Sequence, residues 1–68
     1  EQRRVLDAAI AELPEDMRSA VVLRDVQGFS YDEISVMLEV NVGTIKSRIS
    51  RGREKLRQIL QENSELFN

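Results

Sequence analysis

The sequence predicts an all-α fold, a four-helix domain carrying a helix-turn-helix and no wing, on three observations. Apolar residues recur at spacings of three and four along most of the chain. No alternation of apolar and polar residues persists long enough to propose a sheet. Two cap signals, Ser30 with Glu33 and then Asn41, mark two helix starts, with only a short connection before the second.

Residues 2 to 13 form the first predicted helix, with Leu6, Ala9, Ile10 and Leu13 on one side and Asp7 and Glu12 elsewhere on the cylinder. Pro14 ends it. Proline suits the first turn of a following helix, because its missing N–H has no intrahelical partner there, and Glu15 and Asp16 favour the positive end of the helix dipole. This second helix spans roughly residues 14 to 26, with Met17, Val21, Val22, Leu23 and Val26 as its apolar side and Gly28 as its stop.

The third helix, 30 to 38, starts at a capping box. Ser30 is the N-cap, Glu33 returns a hydrogen bond to the cap's own N–H, and Phe29 packs on Ile34 as a hydrophobic staple. Ile34, Met37 and Leu38 are its predicted core side, and Glu39-Val40-Asn41 is the connection. The fourth helix runs from Val42 to about Gln61 with Asn41 as N-cap and Val40 and Ile45 as a second staple. Thr44 replaces the usual acid in its first turn, which leaves that turn free of carboxylates, as a helix start approaching phosphate requires. Ile45, Ile49, Gly52, Leu56 and Ile59 share one side of this helix; Thr44, Ser47, Ser50, Arg51 and Glu54 point the other way. Gly52 costs about 1 kcal/mol relative to Ala in a helix interior, for which close packing on another helix is a physical reason. Residues 63 to 68 read as frayed, with Leu66 and Phe67 either docking or forming a loose tail.

Sixty-eight residues make one small domain, 1–68, in which only roughly 60% of the unfolded surface can be buried. The absence of Cys and His excludes disulfide staples, common structural zinc clusters, and a cysteine nucleophile or histidine base. No nucleophile–base pair is visible and a chain of this size has little room for a substrate pocket, so an enzyme is the weakest reading; no cofactor and no metal are expected. No apolar run approaches the roughly 20 residues that span a bilayer, and a cytoplasmic setting is the simplest expectation. The chain opens without Met directly into a helical pattern, which reads as a fragment of something longer.

Charge is distributed unevenly. Between residues 46 and 57 six bases (Lys46, Arg48, Arg51, Arg53, Lys55, Arg57) face one acid, Glu54, a local balance of +5. Residues 1 to 45 carry four bases against nine acids, and 58 to 68 two acids and no base, which brings the chain to −2. A positive field confined to one helix predicts local, oriented contact with a polyanion. A short helix, a turn and a longer basic helix match the arrangement in which the second helix enters the major groove. Helical hairpins with basic faces also occur in proteins that never touch DNA, so the pattern leaves a protein-interaction domain open.

Leu13-Pro14 followed by a helix, Gly28-Phe29-Ser30-Tyr31-Asp32-Glu33-Ile34, and Val42-Gly43-Thr44-Ile45-Lys46-Ser47-Arg48-Ile49 with Arg51-Gly52-Arg53-Glu54-Lys55-Leu56 resemble region 4 of bacterial extracytoplasmic-function sigma factors. The resemblance covers about residues 5 to 60. It implies a domain that reads the double-stranded −35 promoter element, docks on the β flap of RNA polymerase, is bound by an anti-sigma factor, and forms no obligate homodimer. The chain departs from the family in carrying Glu39 where Gly is frequent and Gly52 where Ala is frequent. Receiver-linked regulators with a similar four-helix tail domain are the alternative; they act as dimers on palindromes, so symmetric half-sites would favour them.

Within this frame Ser47 and Arg51, one turn apart on the outer face, and Arg48 at its edge are the candidates for base-edge contact, arginine being able to donate two hydrogen bonds to guanine. Thr44 and Lys46 near the helix start, Arg53 and Lys55 further along it, and Ser30 and Tyr31 at the start of the third helix are the candidates for phosphate contact. Ser30 and Glu33 also have a purely structural reading as caps. Arg24 is a weaker phosphate candidate, and the acidic residues of the first two helices read as solvated faces or as contacts for a basic partner.

Overall fold

Ala20, Ile34, Ile45 and Ile49 meet in one buried cluster, joined at its edges by Leu23, Phe29, Tyr31, Leu38 and Val40, so the core lies where the second, third and fourth helices converge. The computed structural model describes residues 2–67, with side-chain surroundings for residues 3–62. Among these the elements are α1 (Gln2–Ala11), α2 (Glu15–Val21) continuing into a wider π-helical turn (Val22–Val26), α3 (Tyr31–Leu38) and α4 (Val42–Phe67), with no strand.

The helix ends obey local chemistry. After Ala11 the chain tightens into i→i−3 bonds, Glu12 N–H to Ala9 and Leu13 N–H to Ile10, so α1 stops two residues earlier than its apolar pattern predicts, yet Leu13 is still buried. The Arg18 guanidinium donates to the Ala11 and Leu13 carbonyls, two of the acceptors that a helix end leaves open. At the start of α3 both halves of the capping box form: Glu33 N–H to Ser30 Oγ at 3.0 Å and Ser30 N–H to Glu33 Oε1 at 2.8 Å.

The structure corrects three further sequence expectations. The apolar pattern predicts one uninterrupted second α-helix, but Gln27 N–H bonds to Val22 O, five residues back, and the extra residue in that turn rotates the next residues out of α register. Leu23 still reaches the core, whereas Val26, predicted on the apolar side, is 61% exposed. On the eight-residue α3 the core line runs through Tyr31, Ile34 and Leu38, and Met37, one position off that line, is 48% exposed. The backbone of α4 stays helical to Phe67, beyond the predicted end near Gln61; whether Leu66 and Phe67 dock lies outside the described residues. At about 1.5 Å per residue this helix accounts for the 41 Å long axis of the molecule.

The turn between α3 and α4 is a Schellman motif. Val40 N–H bonds to Ser35 O, Glu39 N–H to Val36 O, and Val40 packs against the cluster that contains Ile34. Its left-handed position is Glu39, at φ 57° and ψ 41°, where a Cβ is sterically costly. Gly28 fills the corresponding position after the π turn at φ +79°; nothing lies within 4 Å of where its Cβ would be, so conformation rather than space demands glycine.

Gly52 serves a different purpose. A Cβ there would sit 2.6 Å from Val21 Cγ2 and 3.3 Å from Met17 Cβ, so α2 and α4 approach over a bare backbone.

These two backbone positions respond to substitution in opposite directions. Glu39→Gly removes the left-handed strain and raises stability by about 1 kcal/mol, or about 4–8 °C in Tm for a domain of this size, in a thermal melt. Gly52→Ala lowers stability by about 1–2 kcal/mol in urea unfolding although Ala is the better helix former, because overpacking outweighs propensity. In a Val21→Ala background that cost shrinks to what the Met17 contact imposes, a coupling of about 1 kcal/mol in the double-mutant cycle.

Candidate nucleic-acid interface

Burying Ile45, Ile49 and Gly52 fixes which side of α4 faces outward. At about 100° per residue, Thr44, Ser47, Arg51 and Lys55 fall on one outward arc, with Arg48 at its core-side edge; Lys46, Ser50, Arg53 and Arg57 fall on the opposite flank. The structure thus sorts the sequence candidates into two stripes. Ser47, Arg51 and Lys55 are exposed, and Arg51 and Lys55 form no ion pair among the described residues.

The start of α4 is capped by Asn41, whose Oδ1 accepts from Thr44 N–H at 2.8 Å, and the first turn holds no carboxylate. Thr44 is half-buried beside this cap. One first-turn N–H is thus taken by the Asn41 cap, and the positive end of this long helix carries no acid of its own.

The second stripe converges on Tyr31. The Arg24 guanidinium carbon lies 4.8 Å above its ring centroid and Lys46 Nζ lies 5.9 Å away, both within cation–π range. Arg24 also donates to Phe29 O at 3.0 Å, tying the π turn to the start of α3. Ser30, at the same end, already accepts Glu33 N–H through its hydroxyl. Tyr31, Lys46, Ser50, Arg53 and Arg57 line one open cleft between α3 and α4.

Several cations of α4 are already engaged. Arg53 grips Asp25 in a two-point pair, Nε to Oδ2 at 2.9 Å and Nη2 to Oδ1 at 2.6 Å. Arg57 pairs with Glu54 within α4, Nη2 to Oε1 at 2.6 Å. Arg48 leans toward Asp16 of α2 at 3.9 Å and is partly buried. The structure therefore separates Lys46, Arg51 and Lys55 from Arg48, Arg53 and Arg57 by whether a carboxylate stands against them. Helical spacing carries a signal for the Arg57–Glu54 pair at i,i+3, but none for Asp25 and Arg53, which are 28 positions apart. Arg24 is more central than its sequence position suggests, since only the fold brings Tyr31 beneath it.

Three carboxyls are held below the usual range. Arg53's hydrogen bond lowers Asp25, Ser30's backbone N–H and hydroxyl lower Glu33, and Arg57's hydrogen bond lowers Glu54. No cluster of ligands able to hold a metal occurs among the described residues, and none of their helices is long and apolar enough to cross a membrane.

Known proteins share this sequence pattern over most of its length. A family model described as sigma-70, region 4 matches residues 3–56. The chain is 51% identical over 59 residues to the ECF RNA polymerase sigma factor SigE of Mycolicibacterium smegmatis, covering 87% of this chain and 23% of that protein. It is 45% identical over 56 residues to the ECF RNA polymerase sigma-E factors of Salmonella typhimurium and Escherichia coli, covering 82% of this chain and 29% of each. The chain thus spans between 23% and 29% of the length of these relatives.

The depressed carboxyls set a pH dependence. Each binds its proton less readily folded than unfolded, so its contribution to stability is fully present above the unfolded carboxylate range and is lost as pH falls through the folded values. With no histidine in the chain, Tm stays flat between about pH 6 and 8 and falls below about pH 4. Glu33→Gln makes that acid limb shallower in thermal melts, because the capping-box carboxylate no longer titrates.

Proposed function

Because the chain belongs to the region 4 family of sigma-70 factors, we propose that it reads a −35 promoter element by setting α4 in the DNA major groove, as one module of an extracytoplasmic-function sigma factor directing RNA polymerase. The observation that carries this reading is the outward arc of α4. Ser47 and Arg51 stand exposed one turn apart, directly opposite the buried Ile45 and Ile49, so the helix enters a groove with its polar face while its apolar face holds the domain together.

In this reading Arg51 donates to a guanine edge and Ser47 makes a less selective base contact beside it. Arg48, at the edge of the arc, joins them by leaving Asp16, whose 3.9 Å separation makes that pair weak. Thr44 and Lys46 meet phosphate beside the helix start, Lys55 meets it further along, and Tyr31 and Ser30 approach the strand that crosses α3. Arg53, although on the same flank, makes no phosphate contact while its two-point pair with Asp25 stays closed.

Docking on the polymerase β flap and capture by an anti-sigma factor are further parts of the proposal and rest on the family alone. The role is non-enzymatic and belongs in the bacterial cytoplasm. A single asymmetric site is expected; two symmetric half-sites with self-association would instead favour the receiver-linked regulators.

The test is binding of variants to a −35-like duplex and to a scrambled one. Arg51→Ala weakens the preferred duplex by about 1–3 kcal/mol more than the scrambled one. Lys46→Ala weakens both about equally and lowers the salt slope by about 1. Equal losses for both variants on both duplexes would overturn this division of labour.

A further inference from the structure

Asp25 stands at the last turn before α3, on the π-helical segment, and its carboxylate faces the flank of α4 that carries Lys46, Ser50 and Arg53. The pair it makes with Arg53 uses both Nε and Nη2, which is the edge a guanidinium presents to a phosphate when it binds through two parallel hydrogen bonds. Both side chains remain partly open to solvent, 48% for Arg53 and 35% for Asp25, so a phosphate is able to approach the pair. It meets a guanidinium already occupied and a carboxylate of its own sign.

The neighbouring groups make this flank the place where such competition matters. Tyr31 and Lys46 line the same cleft as Arg53, and Arg24 stacks on the Tyr31 ring. Glu54, the acid that lines this cleft, is engaged by Arg57 within α4. Asp25 is thus the acid that reaches a cation of this flank from outside α4, whereas Arg57 is engaged by Glu54 of its own helix.

We propose that Asp25 is an intramolecular competitor for DNA phosphate: it keeps Arg53 closed in the bound state, so that the domain binds duplex DNA more weakly, and with one fewer phosphate neutralised, than its row of cations would allow. The proposal deepens the reading of α4 as the DNA-facing helix and rests on it. Phosphates are the same in every sequence, so the restraint lowers binding to all duplexes alike and leaves the base contacts of Arg51 untouched.

The experiment compares the 68-residue chain, Asp25→Asn, Arg53→Gln and the double variant on the −35-like and scrambled duplexes between about 50 and 200 mM salt. Asparagine keeps the shape of the aspartate, and a thermal melt of each variant verifies folding. The expected result is that Asp25→Asn binds both duplexes more tightly at low salt. Its affinity also falls about 3.5-fold more across that salt range, the effect of one added phosphate contact at a slope of about 0.9 each. Arg53→Gln binds like the parent chain, and Asp25→Asn changes the salt slope little once Arg53 is gone.

An unchanged slope in Asp25→Asn overturns the proposal. So does weaker binding by both single variants, which would mean that Asp25 orients Arg53 for a contact already made in the parent chain. The parent chain and Arg51→Ala, measured alongside, report on the underlying reading separately. If the parent binds neither duplex, the DNA reading falls and the proposal with it. If the parent prefers the −35-like duplex and Arg51→Ala loses that preference while Asp25→Asn is inert, the reading stands and the competitor role is rejected.

Discussion

Everything α4 presents outward depends on how closely its inner side approaches α2. Gly52 allows that approach, since a single Cβ would press on the buried Val21. With the two backbones this near, Ile45 and Ile49 close over Ala20 and Ile34, and the rotation of α4 about its own axis is fixed by burial on one side. A helix free to roll by one residue would turn its polar arc by about 100°. Close packing here therefore determines orientation as well as stability.

The same approach brings carboxylates of the α2 region to both edges of α4. Asp16 reaches toward Arg48 on one side and Asp25 takes Arg53 on the other. Surface pairs of this kind contribute little to stability, typically under about 1 kcal/mol. Their larger effect is on the field the helix projects. A stripe with a balance of +5 in the sequence becomes a narrower one in which Lys46, Arg51 and Lys55 carry the unpaired charge among the described residues.

Between α3 and α4 the chain reverses over Glu39, Val40 and Asn41, and each has a separate duty. Glu39 takes the left-handed conformation, Val40 returns to the core, and Asn41 caps the next helix. The strain at Glu39 persists because the residues on either side are fixed by the Schellman bonds and by the cap, which over-determine the backbone between them.

The sequence by itself determined what acts over three or four residues. The capping box at Ser30 and Glu33, the Asn41 cap, the stop at Gly28 and the apolar stripe of α4 were all legible, because caps and helical faces are made by near neighbours along the chain. Ser47 and Arg51 were legible as outward-facing for the same reason, and the family resemblance supplied the role now proposed for them. Tertiary structure alone decided the rest. The extra residue in the π turn sends Val26 outward and brings Arg24 over Tyr31, and no periodicity announces where a helix will widen. The pairing of Asp25 with Arg53 joins residues 28 positions apart, one on the π turn that follows α2 and one on α4, which no helical spacing relates. Sequence spacing reports neighbours along one helix; which charges cancel across two helices is set by the distance between their axes.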